Sequence, residues 1–386
     1  MSTTESTKTR IHGLDAVRAA ALLLGIVLHG LMPYTAQIPW LVDDSQRAEW
    51  PLVVISAIHF FRMTLFLVLA GYFGRLVRSR RGTRSYLRDR LIRIVLPLFV
   101  FWPFAVLPLG LLAAWHASRV GKELVRPDVA GHGGVLGAFD LGHLWFLWVL
   151  AQCIVLALLL RWAATKLMPE PSATVRKFLM RCLSSPLGVL LAAIPYAITT
   201  NIQQEASGLI APTTLMPDPV ALVAYLGAFG VGWVLSSDDS ALRRIGNHAW
   251  FHSAFAVVAT ALTLVTTGAI SIGIDAPQPV WSTLQALAGW SCCYALLGLS
   301  VLYLNVYRPW VRYLADASYW MYLMHLVLLT FFEVLIANLA WPIMVKASLN
   351  FVVTSALLLF TYHVFVRSTW LGSWLNGRKS SPSSKA

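Results

Sequence analysis

Ten times along its 386 residues the chain stays apolar for about twenty residues at a stretch, the length a helix rising 1.5 Å per residue needs to cross roughly 30 Å of hydrocarbon. The cores of these runs fall near 14–34, 52–74, 91–115, 140–160, 183–200, 218–236, 249–270, 281–304, 317–338 and 343–366. Lipid leaves a chain only two ways to satisfy its backbone, the helix and the closed barrel, and uninterrupted runs of this length select the helix. The expected fold class is therefore all-α: a polytopic membrane helix bundle of about ten transmembrane helices. A composition of 58% hydrophobic and 12% charged residues excludes an ordinary soluble domain, and sixteen Trp with twelve Tyr suit interfacial belts.

A net charge of +13 taken alone would suggest nucleic acid as a partner, but its distribution argues otherwise. The connection from Arg75 to Arg93 carries eight Arg against Asp89, and Arg161–Arg181, Arg308–Arg312 and Arg367–Lys385 are also basic. The alternate connections, around Asp43, Asp44 and Glu49, around Glu205 and around Asp275, are neutral or acidic. This is the positive-inside bias. It places both termini in the cytoplasm and makes the lipid bilayer, with no nucleic acid, the partner of the basic surface. The first run continues past any signal-peptide cleavage position and reads as a retained span. The expected organisation is a cytoplasmic segment 1–13, one transmembrane domain 14–366 and a cytoplasmic tail 367–386. The stretch 117–139, with its Gly131–Gly134 run, reads as a flexible outer loop, and the Ser-rich end as a disordered tail. Cys153, Cys182, Cys292 and Cys293 fit packing and show no metal or disulfide spacing. His248 and His252 share a helix face but have no acidic third ligand nearby, so no metal site is expected.

Ionisable residues inside such runs are costly and mark functional surfaces. In the first run Asp15 and Arg18, three apart, share a face. His29, eleven residues beyond Arg18, returns to it after roughly 16 Å of helical rise. In the second run His59 and Arg62 are three apart, at a depth similar to His29. Arg90 and Arg93, one turn apart at the mouth of the third run, suit an anion because guanidinium forks match phosphate oxygens. The fourth run opens with Asp140 and His143. In the ninth, Ser318, Tyr322 and His325 line one face with His325 near mid-membrane, and Glu333 lies deeper. The plainer readings are interfacial snorkelling for His59, Arg62 and His143, helix-to-helix hydrogen bonding for Ser318 and Tyr322, and topology alone for the arginines.

Together Leu14–Asp15 with Arg18 and His29, the stretch ending AGYFGRLV, the following YLRDRLIRIVLP, HLWFL and SYWMYLMH run in order from Leu14 to His325 and resemble the acyltransferase-3 family of integral membrane acyltransferases. The stretches IHFFRMTLFLVLAGYF and GHLWFLWVL are most similar to its branch that succinylates periplasmic glucans. Ala70 departs from many relatives, which have Ser there. The expected lack of a C-terminal hydrolase-like domain fits the same branch. The resemblance implies a protein of the bacterial inner membrane that takes an acyl group from cytoplasmic acyl-CoA (succinyl-CoA or acetyl-CoA, a substrate and not a resident cofactor). It delivers that group to a carbohydrate hydroxyl on the far side, working alongside glucan-synthesis proteins. Arg18, Arg90 and Arg93 would then hold the acyl-CoA phosphates. His29 would be the general base or a transient acyl carrier. His325, with Ser318 and Tyr322, would position the acyl group or oxyanion. Asp15 would balance Arg18, and His59, Arg62 and His143 would support the site. Two other readings stay open: O-acetylation of another envelope polysaccharide, and transport of an acylated precursor or anion. No paired broken helices point to the latter.

Overall fold

The computed structural model describes residues 11–121, 137, 139–167, 169–274 and 276–377. The expected N-terminal segment to residue 10, the Gly131–Gly134 run, Asp275 and the tail beyond residue 377 lie outside the described residues.

The described chain is helical, with a lone bridge pairing Asp140 and Thr214 and no strand. In order come α1 (His12–Leu31), α2 (Trp50–Arg90), α3 (Leu96–Ala105), α4 (Leu107–Val120), α5 (Trp145–Leu167), α6 (Pro169–Leu183) and α7 (Gly188–Gln203). Then follow α8 (Pro219–Leu235), α9 (Ala241–Asn247), α10 (Ala249–Thr266), α11 (Gln278–Tyr303), α12 (Pro309–Ile336), α13 (Ile343–Thr361) and α14 (Trp370–Asn376). Seven helical runs are long and apolar enough to cross a membrane, and an eighth if Ala173–Leu183 and Gly188–Gln203, bent by 100°, count together. One of the seven, Trp50–Val120, is 71 residues long and contains both expected runs 52–74 and 91–115. Pro219–Leu235 is a shorter apolar helix, started by Pro219 in its first turn and by Asp218, whose carboxylate accepts from the N–H groups of Val220 and Ala221 at 2.9 and 3.0 Å.

The structure corrects the sequence reading between the second and third runs. The arginine-rich stretch is not a loop: α2 continues through it to Arg90, broken only at Gly82, whose φ of 76° and ψ of 166° are not helical. That backbone is open to glycine and strained for other residues, so α2 is two helical segments that meet at a kink there. A π-helical turn, Leu91–Val95, then leads into α3. Such turns loosen the i to i−4 ladder, and two carbonyls in this one take outside donors: Tyr319 Oη donates to Arg93 O at 2.6 Å and Trp374 Nε1 to Ile92 O at 2.8 Å.

The core is the set of helix crossings around α2, α8, α11 and α12. Lipid provides little hydrophobic drive between helices, so close backbone approach at small residues does much of the packing. At the crossing of α2 with α8 a Cβ on Gly71 would stand 2.0 Å from the carbonyl oxygen of Phe229, and one on Gly232 would stand 1.9 Å from that of Val68. Neither carbonyl can yield, so any side chain there forces the helices apart. The crossing holds α2 in place, and α2 in turn carries His59, Arg62 and Arg90.

Candidate active site

One cavity of about 1350 Å³ runs through the bundle. Helical periodicity explains which residues line it. From α1 come Arg18, Leu22, Gly25, His29 and, in the turn after it, Met32, spaced by four, three, four and three as one face of a 3.6-residue helix requires. From α12 come Arg312, Ala315, Tyr319, Tyr322 and Leu326 on the same rule, with Asp316, Ser318 and His325 beside them. His59, Arg62, Met63 and Phe66 enter from α2, and Arg90, Arg93 and Ile94 from its end and the π turn. Of the eleven residues given a role in the site from the sequence, ten therefore face one space. The eleventh, Asp15, is buried just behind it.

One end of the cavity is cationic. Arg18 donates to the carbonyl of Ala315 at 2.6 Å. Asp15 stands between Arg18, at 3.9 Å, and Arg312, at 3.7 Å, and Arg312 also pairs with Asp316 at 2.8 Å. Asp89 sits between Arg93, at 3.0 Å, and Arg90, at 3.1 Å; the Arg90 contact is an ion pair, since Asp89 Oδ2 has no partner in hydrogen-bond geometry. Arg367 completes this end. Arg18, Arg90, Arg93, Arg312 and Arg367 thus face Asp15, Asp89 and Asp316, an excess of cation around a space wide enough for a ligand. Sequence reading missed Arg312 and Arg367, which the charge bias of the loops already accounted for. The available signal was the four-residue step from Arg312 to Asp316, which continues onto the Tyr319–Tyr322 face.

At mid-cavity the imidazoles gather. The His29 ring centroid lies 5.4 Å from that of His325, and His325 lies 5.2 Å from His143. Carbonyl oxygens only accept, so the contact of His325 Nδ1 with Tyr322 O at 2.8 Å, and that of His143 Nε2 with Leu323 O at 3.2 Å, make those nitrogens donors. In the neutral rings the basic nitrogens are then Nε2 of His325 and Nδ1 of His143. Tyr322 Oη donates to His143 O at 2.8 Å, and Ser318 Oγ to Ala315 O at 2.8 Å, so both hydroxyls stitch helices and backbone at the cavity wall. His59 Nδ1 binds Ser207 O at 3.0 Å.

Arg62 reaches in from α2 and rests on α1. A Cβ on Gly25 would stand 2.0 Å from Arg62 Nη1, so the bare glycine one turn before His29 is the seat of the guanidinium. Its Nε is buried without a hydrogen-bond partner among the described residues, and no carboxylate there pairs with it.

Beyond His29 the cavity is bounded by Pro39, Trp40 and Leu41 from the segment joining α1 to α2, and by Leu109, Ala113, Asp140 and Thr213. The joining segment is tied down: Lys346 and Asp44 pair at 2.5 Å, Ser45 N donates to Ala337 O at 3.0 Å, and Ala48 N donates to Tyr34 O at 3.0 Å. Trp40 is the third residue that sequence reading missed, because it lies on a loop where no period marks it.

Fold and site together define a multi-pass membrane protein with an internal cavity, cationic at one end and imidazole-lined at its centre. Residues 11–366 match the model of a family described as an acyltransferase domain, and the chain belongs to that family. It is similar to glucans biosynthesis protein C of Escherichia coli O6:K15:H31 (strain 536 / UPEC) and of Shigella dysenteriae serotype 1 (strain Sd197), in each case 28% identical over 192 residues, 49% of this chain and 48% of the relative. The same protein of Escherichia coli (strain K12) is 28% identical over 194 residues, with the same shares. The chain thus spans about half the length of the curated relatives it matches. No solved structure matches it.

Proposed function

We propose that this membrane acyltransferase sits in the bacterial inner membrane with both termini in the cytoplasm. In this reading it moves a succinyl group from cytoplasmic succinyl-CoA to a hydroxyl of periplasmic glucan. The observation that carries the reading is the single cavity joining five arginines at one end to His29, His325 and His143 at its centre. Its volume exceeds the roughly 300–1,000 Å³ of ordinary small-molecule pockets, leaving room for an elongated donor and an acceptor hydroxyl together. The acyl-CoA phosphates lie among Arg18, Arg90 and Arg93, joined by Arg312 and Arg367. The pantetheine arm follows the Arg18–His29 face of α1, roughly 16 Å long, and sets the thioester beside His29.

His29 takes the proton of the sugar hydroxyl as its oxygen attacks the thioester carbonyl. The tetrahedral intermediate then expels the thiolate, the C–S bond breaks, and the imidazolium returns its proton to sulfur. His325 and His143 fix the wall against which the acyl group rests, with Tyr322 and Ser318 holding that wall together. Succinyl is favoured over acetyl by Arg62, a cation beside the imidazoles without an acidic partner among the described residues, because a buried charge calls for a counter-charge and a succinyl group brings its own carboxylate. Glucan as acceptor is supported by the name of the relatives.

The test is mass spectrometry of periplasmic glucans from cells with the intact gene, without it, and with His29→Ala. The expected result is a succinyl increment lost in both defective strains while the variant protein still inserts in the membrane. An acetyl increment would change the donor, and modification of another envelope polysaccharide the acceptor. Unmodified carbohydrate in all three strains would overturn the assignment.

A further inference from the structure

His29 differs from the other imidazoles of the cavity in what holds it. His59, His143 and His325 each keep a ring nitrogen on a backbone carbonyl. His29 Nδ1 is buried with no hydrogen-bond partner among the described residues, and nothing there bonds its other nitrogen. A base in a transfer reaction has to be aimed, ordinarily by a hydrogen bond from a third group, and this one has none.

A stacked ring takes that place. The indole of Trp40 lies over the His29 imidazole with centroids 5.6 Å apart and planes 17° from parallel, while His325 meets it tilted by 44°. Trp40 is itself pinned: its Nε1 donates to Glu333 Oε2 at 3.2 Å. Glu333 lies on α12 eight residues past His325, buried at 1% exposure, and its other oxygen has no partner among the described residues. A buried carboxyl oxygen is costly unless bonded, so the indole N–H is held on it. The segment that carries Trp40 is fixed in turn by Lys346, Ala337 and Tyr34.

We propose that Trp40 is the positioning residue of His29, its indole anchored by Glu333 so that the imidazole plane, and with it the lone pair, points at the acceptor hydroxyl. The inference rests on the assignment of His29 as the base. The lone pair of an imidazole lies in the ring plane, so a ring free to rotate spends most of its time aimed elsewhere, and misplacement by about 1 Å costs up to about a hundredfold in rate.

The experiment is steady-state thiol release by the full-length protein in detergent, with succinyl-CoA as donor and extracted periplasmic glucan as acceptor. Trp40→Ala and Glu333→Leu are each expected to lower kcat by about tenfold to a hundredfold while the KM for succinyl-CoA stays within about twofold. Glu333→Gln, whose amide oxygen still accepts from the indole, keeps kcat within about threefold of the parent, and Trp40→Phe, which keeps a ring face, lies between parent and Trp40→Ala. The double variant Trp40→Ala/Glu333→Leu is no slower than Trp40→Ala, because the two act in series. Parent-level kcat in monodisperse Trp40→Ala, a loss confined to donor KM, or multiplied losses in the double variant would each overturn the inference. His29→Ala separates the two levels: if it retains turnover the base assignment fails, and if it is inactive while Trp40→Ala is unaffected only the positioning role fails.

Discussion

Gly25→Ala separates stability from activity at a single atom. The added Cβ would start 2.0 Å from Arg62 Nη1, and ordinary contact begins at 3.4 Å, so the guanidinium must withdraw by about 1.4 Å (3.4 less 2.0). It is the far end of a flexible side chain and can withdraw without disturbing either backbone. The helix itself gains, since alanine is favoured over glycine in a helix interior by about 1 kcal/mol, which corresponds to a thermal midpoint unchanged or raised by about 1 to 2 °C. Turnover should move the other way. A cation displaced by more than an ångström from the imidazole cluster is expected to lower kcat about a hundredfold. The assay is thiol release from succinyl-CoA by purified variant and parent, with thermal unfolding on the same samples. The Arg62→Gln background supplies the control, because Gly25→Ala should have little further effect once the guanidinium is gone. Parent-level turnover in Gly25→Ala would refute the claim that the seat of Arg62 on α1 matters to the reaction.

Three further outcomes follow from the same geometry. Arg90→Gln and Arg93→Gln, each alone, should raise the KM for succinyl-CoA about tenfold to a hundredfold with kcat little changed, since each charge-assisted bond to phosphate contributes about 1.5–3 kcal/mol; an unchanged KM for either in a thiol-release assay would remove that arginine from the donor site. Lys346→Met leaves Asp44 buried without its cation. Burial already pushes the Asp44 carboxyl above the usual range against the pull of Lys346, and the variant should lose about 3–5 kcal/mol, read as a lower unfolding midpoint that Asp44→Asn partly restores. In the turn between α8 and α9, hydrogen bonds from Arg244 and Ser240 hold the Asp238 carboxyl down at about 2. Its stabilisation is present at neutral pH, above the unfolded value of about 3.9, and is lost as pH falls through about 2, so the unfolding midpoint of Asp238→Asn should fall less between pH 5 and pH 3 than that of the parent.

What could be read from the sequence was what a straight helix encodes. Arg18 and His29, and Ser318, Tyr322 and His325, were found because a 3.6-residue period survives in an apolar helix where every polar residue stands out. The cavity brings those residues together across helices, which no single period states. The break at Gly82 escaped because a lone glycine among arginines looks like a loop, and only a positive φ between two abutting helical segments makes it a kink. Arg312 and Arg367 were hidden by their own abundance: when basic loops are expected on one side of a membrane, no single arginine there draws notice. Trp40 was invisible for the opposite reason, since its partners, His29 and Glu333, are distant in sequence and the segment carrying it has no regular structure to index.

The pairing of α1 with α12 has a metric consequence. The two run in the same direction and touch at two rungs, Arg18 on Ala315 at 2.6 Å and His29 on His325 at 5.4 Å between ring centroids. The rungs are eleven residues apart on one helix and ten on the other, so two covalent rods of nearly equal length, about 15 to 16 Å by helical rise, fix the same interval. That interval is a gauge. It does not depend on loops, lipid thickness or the tilt of the bundle, and it cannot be lengthened by a fraction of a turn, because inserting one residue would rotate everything beyond it by about 100° and carry His29 out of the cavity. The spacing between the cationic end of the cavity and its imidazoles is therefore set by the helix itself, in steps no finer than a turn.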